Sequence, residues 1–281
     1  MRIRSTILAF ALGALTTALA GAAMPLKGTF ALQGSAAKTA GYLDASRSGA
    51  EPNAWRLDFW MSPQTGATPI RAYDLDMTKL LHVIIVSDDF TRFIHTHPQP
   101  LANGHFILDQ TLPGPGLYHV YSDGRPSGIG QQVFRFDLQN GSAAPSPKDL
   151  SERSKVAHVD GYAVALSTLS LRVGSMAPIA VHVTKNGRAA ADIHPYLGAL
   201  AHAVFLDAGD LSYVHVHPVA LGSTMMMEAA SAMVYSNDKA VVSPNMLLHV
   251  TVNEPGTYKL WFQFRGGASL HVASFVINAG R

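Results

Sequence analysis

LLHVIIVSDDFTRFIHTHP, residues 80–98, has the pattern of two β-strands joined by a turn. The first run is apolar apart from one histidine, the second alternates, and the Asp-rich stretch between them favours a turn. LAHAVFLDAGDLSYVHVHP, residues 200–218, repeats this pattern at an offset of 120 without a gap. The repeat aligns three histidine pairs, which are His82 with His202, His95 with His215, and His97 with His217.

The repeat continues beyond this hairpin. Residues 104–123 match the stretch that starts at residue 244, now at an offset of 140, so the second copy carries about twenty extra residues that include the Met-rich stretch 225–233. A unit of this length indicates a duplicated domain and not a solenoid array. The Ser, Pro and charged composition between the copies is typical of a linker. We therefore expect one domain at 24–140, a linker at 141–157 and a second domain at 158–281.

Both copies consist of short apolar or alternating runs bounded by turn residues, and neither shows a sustained helical period. This pattern predicts an all-β protein of two tandem immunoglobulin-like or cupredoxin-like β-sandwich domains. The predicted strands are 55–61, 80–86, 92–97, 105–112, 116–122 and 132–138 in the first copy, and 179–184, 201–206, 213–217, 247–252, 257–264 and 271–277 in the second.

The N-terminus predicts export. Residues 1–23 combine a basic start, an apolar stretch and small residues near its end, which is typical of a secretory signal peptide. A membrane anchor is the alternative, but the apolar stretch is short for a span and contains Gly13, Thr16 and Thr17. We expect a periplasmic or secreted protein without a membrane anchor.

Composition excludes several function classes. The chain has no cysteine, so disulfides, thiolate ligands and the blue-copper ligand set are all excluded. The net charge is +2, with Lys and Arg scattered, so no basic stripe is present for nucleic acid. No Ser/His/Asp set, phosphate loop or pair of catalytic carboxylates stands out, so hydrolase and kinase activities have no support.

The spacing of the histidines predicts a metal site in each copy. If residues 88–91 form an even-numbered loop, His95 lies opposite Ile84 and His97 lies opposite His82, on one face of the hairpin. Three imidazoles at this spacing can ligate a transition metal through bonds of about 2.0–2.1 Å. The predicted ligands are His82, His95 and His97 in the first copy, and His202, His215 and His217 in the second.

Other interpretations of these histidines stay open. An odd-length loop, which Gly209 would support through a bulge, would turn the first histidine to the opposite face and leave a two-histidine site. A histidine on a strand is also commonly a hydrogen-bonded structural residue, and duplication by itself would preserve the triple. His105, His119, His249 and His271 each occur in one copy only, and we expect them to be surface or strand residues.

Ligand type narrows the choice of metal. Sites made of imidazole alone suit Cu(II), Zn, Ni or Fe. We take copper as the leading candidate and zinc as the alternative. Met225, Met226 and Met227 are thioethers that can bind Cu(I), although a Met run in an inserted loop is more often flexible packing. Beyond the ion, the expected partner is another periplasmic or membrane metal-handling protein.

The spacing H-x12-H-x-H-P, the Asp-containing turn and the later Pro-Gly-x-Tyr element resemble the YtkA-like family of bacterial secreted β-sandwich proteins. The resemblance spans most of both copies and is closer in the second. It implies an immunoglobulin-like fold, an extracytoplasmic location and a role of the histidines with copper or another transition metal. The first copy departs from the pattern where Asp74 to Thr78 replace His194 to Gly198.

Two other functions compete with metal binding. In one, the tandem sandwich is a non-catalytic adhesion or scaffold module whose histidines only end a strand. In the other, His95-x-His97 followed by PGPGLYH marks a cupin-like metal enzyme. However, the residues after His97 hold no acidic ligand, and Lys259 stands where the second copy would need a late histidine. We therefore expect a protein that is not an enzyme.

Overall fold

A computed structural model describes residues 24–49, 51–222 and 234–281. The predicted signal peptide at 1–23 and the Met-rich stretch 225–233 lie outside these ranges. The described chain is all-β and its sheets pack as sandwiches, which confirms the predicted fold class. Within these ranges, none of the chain forms a helix with the length and apolarity needed to cross a bilayer.

In the part of the chain that the structure describes, the first sandwich has eleven strands in two sheets. They are β1 (Leu26–Lys27), β2 (Thr29–Phe30), β3 (Thr39–Arg47), β4 (Ala54–Pro63), β5 (Tyr73–Asp74), β6 (Leu81–Ser87), β7 (Phe93–Thr96), β8 (Gln99–Pro100), β9 (Phe106–Thr111), β10 (Gly116–Pro126) and β11 (Gln132–Asn140). The outer sheet has the order β1-β3-β4-β9-β8. The inner sheet has the order β2-β11-β10-β6-β7, with β5 paired to β10.

The described residues of the second sandwich repeat this plan with twelve strands. They are β12 (Val156–Val159), β13 (Tyr162–Leu166), β14 (Ser170–Arg172), β15 (Ala177–Lys185), β16 (Arg188–Ala189), β17 (Ile193–His194), β18 (His202–Asp207), β19 (Tyr213–Val216), β20 (Val219–Ala220), β21 (Asn245–Val250), β22 (Gly256–Gly266) and β23 (Ser269–Gly280). Its outer sheet is β12-β13-β15-β21-β20, with β16 on β15. Its inner sheet is β14-β23-β22-β18-β19, with β17 on β22.

Three apolar cores are formed by the described residues 24–49, 51–222 and 234–281. Two of them lie inside the sandwiches, and the third lies between the two inner sheets. The third core joins side chains of both halves, and its largest members are Phe90, Tyr121, Tyr213 and Trp261. The sandwiches therefore stack through their inner sheets, with β6 and β18 covered on both faces.

This double burial explains the composition of the two strands. All residues of β6 and all residues of β18 are buried. A strand buried on both faces is a continuous apolar run, whereas a strand with one wet face alternates. The outer strand β15 does alternate between buried and more exposed residues. The uniform run in residues 80–86 thus reflects a second packed face, which was not predicted from the sequence.

The hairpins have the predicted register. Ile84 pairs with His95, Val204 pairs with His215, and the turns 88–91 and 208–211 both contain four residues. Each turn is closed by a backbone hydrogen bond, from Ser87 to Arg92 at 3.1 Å and from the equivalent Asp207 to Ser212 at 3.0 Å. The even-numbered loop is confirmed in both copies, so the bulge that Gly209 would support is not formed.

The segment between the sandwiches is attached to both of them. The backbone N–H of Asp149 donates to the carbonyl of Asp89 at 2.7 Å. Lys259, which is 1% exposed, donates to both the carbonyl and the carboxylate of Asp149. At the other side of the interface, Leu32 forms a parallel bridge with Tyr213. The composition of this segment is that of a linker, but its contacts hold the two halves together.

Candidate metal centre

The six predicted ligands lie on the interface between the two inner sheets. His82 and His202 stand at the beginnings of β6 and β18, and the His-x-His pairs stand at the ends of β7 and β19. Because residues two apart on a strand share a face, each trio projects to the same side of its sheet. That side faces the other sandwich, so the structure brings all six rings together.

Each half contributes one histidine triad with the same arrangement of atoms. In the first triad (His82, His95, His97), His82 Nδ1 lies 3.1 Å from His95 Nε2 and 3.1 Å from His97 Nε2. The second triad consists of His202, His215 and His217. There the corresponding distances from Nδ1 of the first histidine are 3.4 and 3.1 Å. In both triads one Nδ1 and two Nε2 atoms converge on a common point.

The two triads also face each other. The ring centroids of His95 and His202 are 4.7 Å apart, and those of His82 and His215 are 5.3 Å apart. His82, His95, His202 and His215 each offer a ligand atom, and the four atoms lie within 4.8 Å of one another. This cluster of four histidines can hold a metal ion. The two predicted three-histidine sites thus lie face to face within one centre at the interface.

Two equivalent turns orient the first histidine of each triad. His82 Nε2 donates to the carbonyl of Asp76 at 3.3 Å, and His202 Nε2 donates to the carbonyl of Tyr196 at 3.0 Å. The two turns have the same backbone conformation, with positive φ at Met77 and Leu197. The sequence departure between residues 74–78 and 194–198 therefore leaves this backbone contact unchanged.

The second histidine of each triad is oriented by the opposite sandwich. His95 Nδ1 donates to the Gln263 side-chain oxygen at 2.9 Å, and His215 Nδ1 donates to the Asp123 carboxylate at 3.3 Å. Gln263 on β22 and Asp123 on β10 are equivalent positions of the repeat. Neither residue was predicted from the sequence. The available signal was their alignment at an offset of 140, as polar residues at equivalent positions of two long strands.

These partners assign the tautomers. Carbonyl and carboxylate oxygens only accept hydrogen bonds, so the ring nitrogen that contacts them carries the proton. In a neutral ring the other nitrogen then presents a lone pair. His82 Nδ1 and His95 Nε2 accordingly point lone pairs at each other across 3.1 Å, and His202 Nδ1 and His215 Nε2 do so across 3.4 Å. Such an arrangement is repulsive unless a cation lies between the nitrogens.

Burial keeps most of these rings neutral. It lowers the pKa of His82, His95, His202 and His217, and the neighbouring imidazoles lower each pKa further. Burial and the adjacent His82 lower the pKa of His97 to about 2. Neutral imidazole is the form that binds a metal, because the ligating nitrogen must be free of its proton. The centre is therefore ready for a cation near neutral pH.

Asp123 is a buried carboxylate at the edge of the centre, with 1% of its surface exposed. It accepts hydrogen bonds from Gln131, Tyr213 and His215. Burial acts to raise its pKa, but the hydrogen bonds from His215 and Gln131, together with the adjacent imidazoles, outweigh burial and lower it. In the described part of the chain, no lysine or arginine forms an ion pair with Asp123. A cation bound by His215 would balance this buried charge.

The histidines found in one copy only lie outside the two triads. His105 contacts Asp58 at 2.9 Å, and His271 contacts Asp160 at 2.8 Å. His119 lies within β10, as a strand residue, but it is 2% exposed and is held between Asp88 and Asp137. His249 lies in β21. The three contacted histidines are thus bound to carboxylates outside the triads.

Comparison with known proteins provides little functional information. Residues 157–281 match a family model described as a domain of unknown function (DUF8832). No curated protein matches the chain. Among solved structures, a beta-glycosidase from Bacteroides vulgatus aligns at 14% identity with a TM-score of 0.23, covering 86% of this chain and 25% of that enzyme. The chain thus spans about a quarter of the enzyme, and at this TM-score the likeness carries no argument.

Proposed function

We propose that this protein is an exported transition-metal-binding protein with one three-histidine site in each half, and that its ion is copper, with zinc as the alternative. The facing lone pairs carry this proposal. In each triad two nitrogens lie 3.1–3.4 Å apart with their protons directed outward, onto oxygen acceptors. A metal ion converts this repulsion into two ligand bonds.

The spacing of the nitrogens suits such an ion. With metal–nitrogen bonds of about 2.0–2.1 Å, nitrogens 3.1 Å apart subtend roughly 95–100° at the metal, between the octahedral and tetrahedral values. Ligating histidines commonly donate their second N–H to a carbonyl or carboxylate, which fixes the tautomer and the ring orientation. His82, His202 and His215 have such acceptors here, and His95 has an amide oxygen.

The donor set favours copper over other divalent ions. The triads offer nitrogen ligands, and the cysteine-free chain offers no thiolate. A nitrogen site binds Cu(II) more tightly than Zn(II), Ni(II) or Fe(II), following the general order of divalent affinities. We therefore expect Cu(II) to displace Zn(II) from the protein.

The proposed location rests on the sequence. Residues 1–23 have the composition of a signal peptide, which supports a periplasmic or secreted protein without a membrane anchor. Kinship with the YtkA-like family, and exchange of the ion with another periplasmic or membrane metal-handling protein, are parts of the same proposal.

Metal binding to residues 24–281 tests the proposal directly. After removal of metal by a chelator, equilibrium dialysis against Cu(II) or Zn(II) should give two bound ions per chain. The double variant His95→Ala/His97→Ala should bind one. His105→Ala is the matched control, because His105 contacts Asp58 on the outer sheet, and it should keep both ions. Absence of bound metal at micromolar free concentration would sink the proposal.

A further inference from the structure

The two triads are nearly symmetric, and one hydrogen-bonded partner breaks the symmetry. Each triad has its first ring on a backbone carbonyl and its second ring on a side chain of the opposite sandwich. That side chain is Gln263 for the first triad and Asp123 for the second. One is a neutral amide and the other is a buried carboxylate.

We propose that the centre consists of two unequal half-sites, and that Asp123 makes the second triad the tighter one, so that it fills first. This inference rests on the proposed metal binding. Asp123 belongs to the first sandwich, yet it acts on the ligands of the second. Neither sandwich alone contains a complete half-site with its positioning residue.

The hydrogen bond provides the first reason for the inequality. A carboxylate that accepts the Nδ1–H of a ligating histidine makes the opposite nitrogen a stronger donor to the metal. His215 has this partner at 3.3 Å, whereas His95 has an amide oxygen at 2.9 Å. Loss of such a partner typically weakens metal affinity by about 10–100-fold. We expect a difference of this size between the two half-sites.

Charge provides the second reason. Asp123 is 1% exposed, and among the described residues neither a lysine nor an arginine pairs with it. A buried negative charge without a fixed counterion is costly, and a cation nearby relieves that cost. Binding at the second triad places the metal charge beside Asp123, through His215. No ring of the first triad is hydrogen-bonded to Asp123, and the Gln263 amide that His95 contacts carries no charge.

Two carboxylates lie near His82 of the first triad. One is Asp123 itself, which pairs with His82 across β10 and β6 but accepts its histidine hydrogen bond from His215. The other is Asp76. It lies near His82, and its counterpart in the second copy is the uncharged Tyr196. Its carboxylate, however, is 3.6 Å from the Arg125 guanidinium, and its contact with His82 uses the backbone carbonyl. Asp76 is therefore already partnered and holds no ligand through its side chain. It serves as a control for the effect of Asp123.

Titration of the metal-free chain, residues 24–281, with Cu(II) against a chromophoric chelator tests the order of filling. The unchanged protein should show two dissociation constants that differ by about 10–100-fold. The double variant His95→Gln/His97→Gln should keep the tight step, and His215→Gln/His217→Gln should lose it. Loss of the tight Cu(II)-binding step in His95→Gln/His97→Gln, with the step kept in His215→Gln/His217→Gln, would overturn the inference.

Exchange of the two partners tests Asp123 itself. Asp123→Asn should weaken the tight step by about 10–100-fold, and Gln263→Glu should strengthen the weak step by a similar factor. Asp76→Asn should change either step by less than about fivefold, since a partly exposed ion pair contributes little. An unchanged tight step in Asp123→Asn would refute the role of this residue. If that variant fails to fold, as shown by circular dichroism, Gln263→Glu decides the question, and an unchanged weak step refutes it.

The results separate this inference from the proposed function. Two equal dissociation constants in the unchanged protein would remove the inference while leaving metal binding intact. A single Cu(II) shared by both triads would remove the inference and the two-ion stoichiometry. No Cu(II) binding at all would remove the proposed function as well.

Discussion

The two halves of the molecule have the same triad geometry, but different residues surround it. In both, a four-residue turn and an even register place three imidazoles on one face. The equivalent buried positions on β10 and β22 hold His119 in one half and Lys259 in the other, each with a different carboxylate partner. Asp123 and Gln263 also occupy equivalent positions, and they differ in charge. Backbone geometry thus determines where the ligand histidines lie, whereas side chains on neighbouring strands determine the charge around each triad.

The largest expected effect concerns the interface that joins the halves. Trp261 is 3% exposed and stacks on Phe93 with ring centroids 5.2 Å apart. Its counterpart Tyr121 stacks on Tyr213 at 5.3 Å. Trp261→Ala should lower the free energy of unfolding by about 3–5 kcal/mol, because it opens a cavity in the core shared by both sandwiches. Tyr121→Ala should have an effect of similar size, and urea unfolding of the metal-free chain measures both.

Trp60→Ala is the matched control for this comparison. Trp60 lies on the outer sheet of the first sandwich, half-buried, where it stacks on Tyr42. Trp60→Ala should lower the free energy of unfolding clearly less than Trp261→Ala does. It should also leave Cu(II) affinity unchanged, whereas Trp261→Ala should weaken it by disturbing the contacts between the halves. An equal loss of free energy of unfolding in the two variants would contradict a core shared by both sandwiches.

An intermediate effect concerns pH. Burial first, and neighbouring imidazoles second, lower the pKa of His97 to about 2 and the pKa of His217 well below 6.5. Above pH 6.5 these rings are neutral in the folded and unfolded chains alike, so they add no pH dependence. Below it, the unfolded chain binds protons that the folded chain excludes. Each ring should then lower the free energy of unfolding by about 1.4 kcal/mol per pH unit.

One substitution in each half separates the contributions of the two rings to this pH dependence. His97→Gln and His217→Gln should each reduce the acid-side slope of the metal-free protein by about 1.4 kcal/mol per pH unit, since each removes one such ring. Urea unfolding at several values between pH 7 and pH 5 gives the slopes. A slope that stays as steep in both variants would show that the rings are protonated within the folded chain.

The smallest effect is expected far from the interface. Arg56 and Asp109 form an ion pair at 3.2 Å on the outer sheet, with side chains that are 53% and 61% exposed. Asp109→Asn should change the free energy of unfolding by less than about 1 kcal/mol, because exposed ion pairs are screened by water. Thermal unfolding and Cu(II) titration should both match the parent protein. A loss of Cu(II) affinity would contradict a centre confined to the inner sheets.

Much of the fold followed from local pattern. The side-chain period of a strand is two, so one even-numbered loop was enough to predict that Ile84 lies opposite His95. The contact between the halves was harder to predict, although the uniform apolar run of β6 was consistent with burial on both faces. Asp123 and Gln263 could not be assigned as partners of the triads. They act on histidines 92 and 168 residues away in the chain.

The sequence by itself determined the duplication, the all-β fold and the face of each hairpin on which the histidines lie, because these depend on repeats and on short-range alternation. Only the tertiary structure decided that the two faces meet, that six rings form one centre, and that each half is completed by a side chain of the other. The physical reason is that packing of two apolar sheet faces is non-directional. Their relative placement depends on how the whole surfaces fit together, and local sequence does not encode that fit.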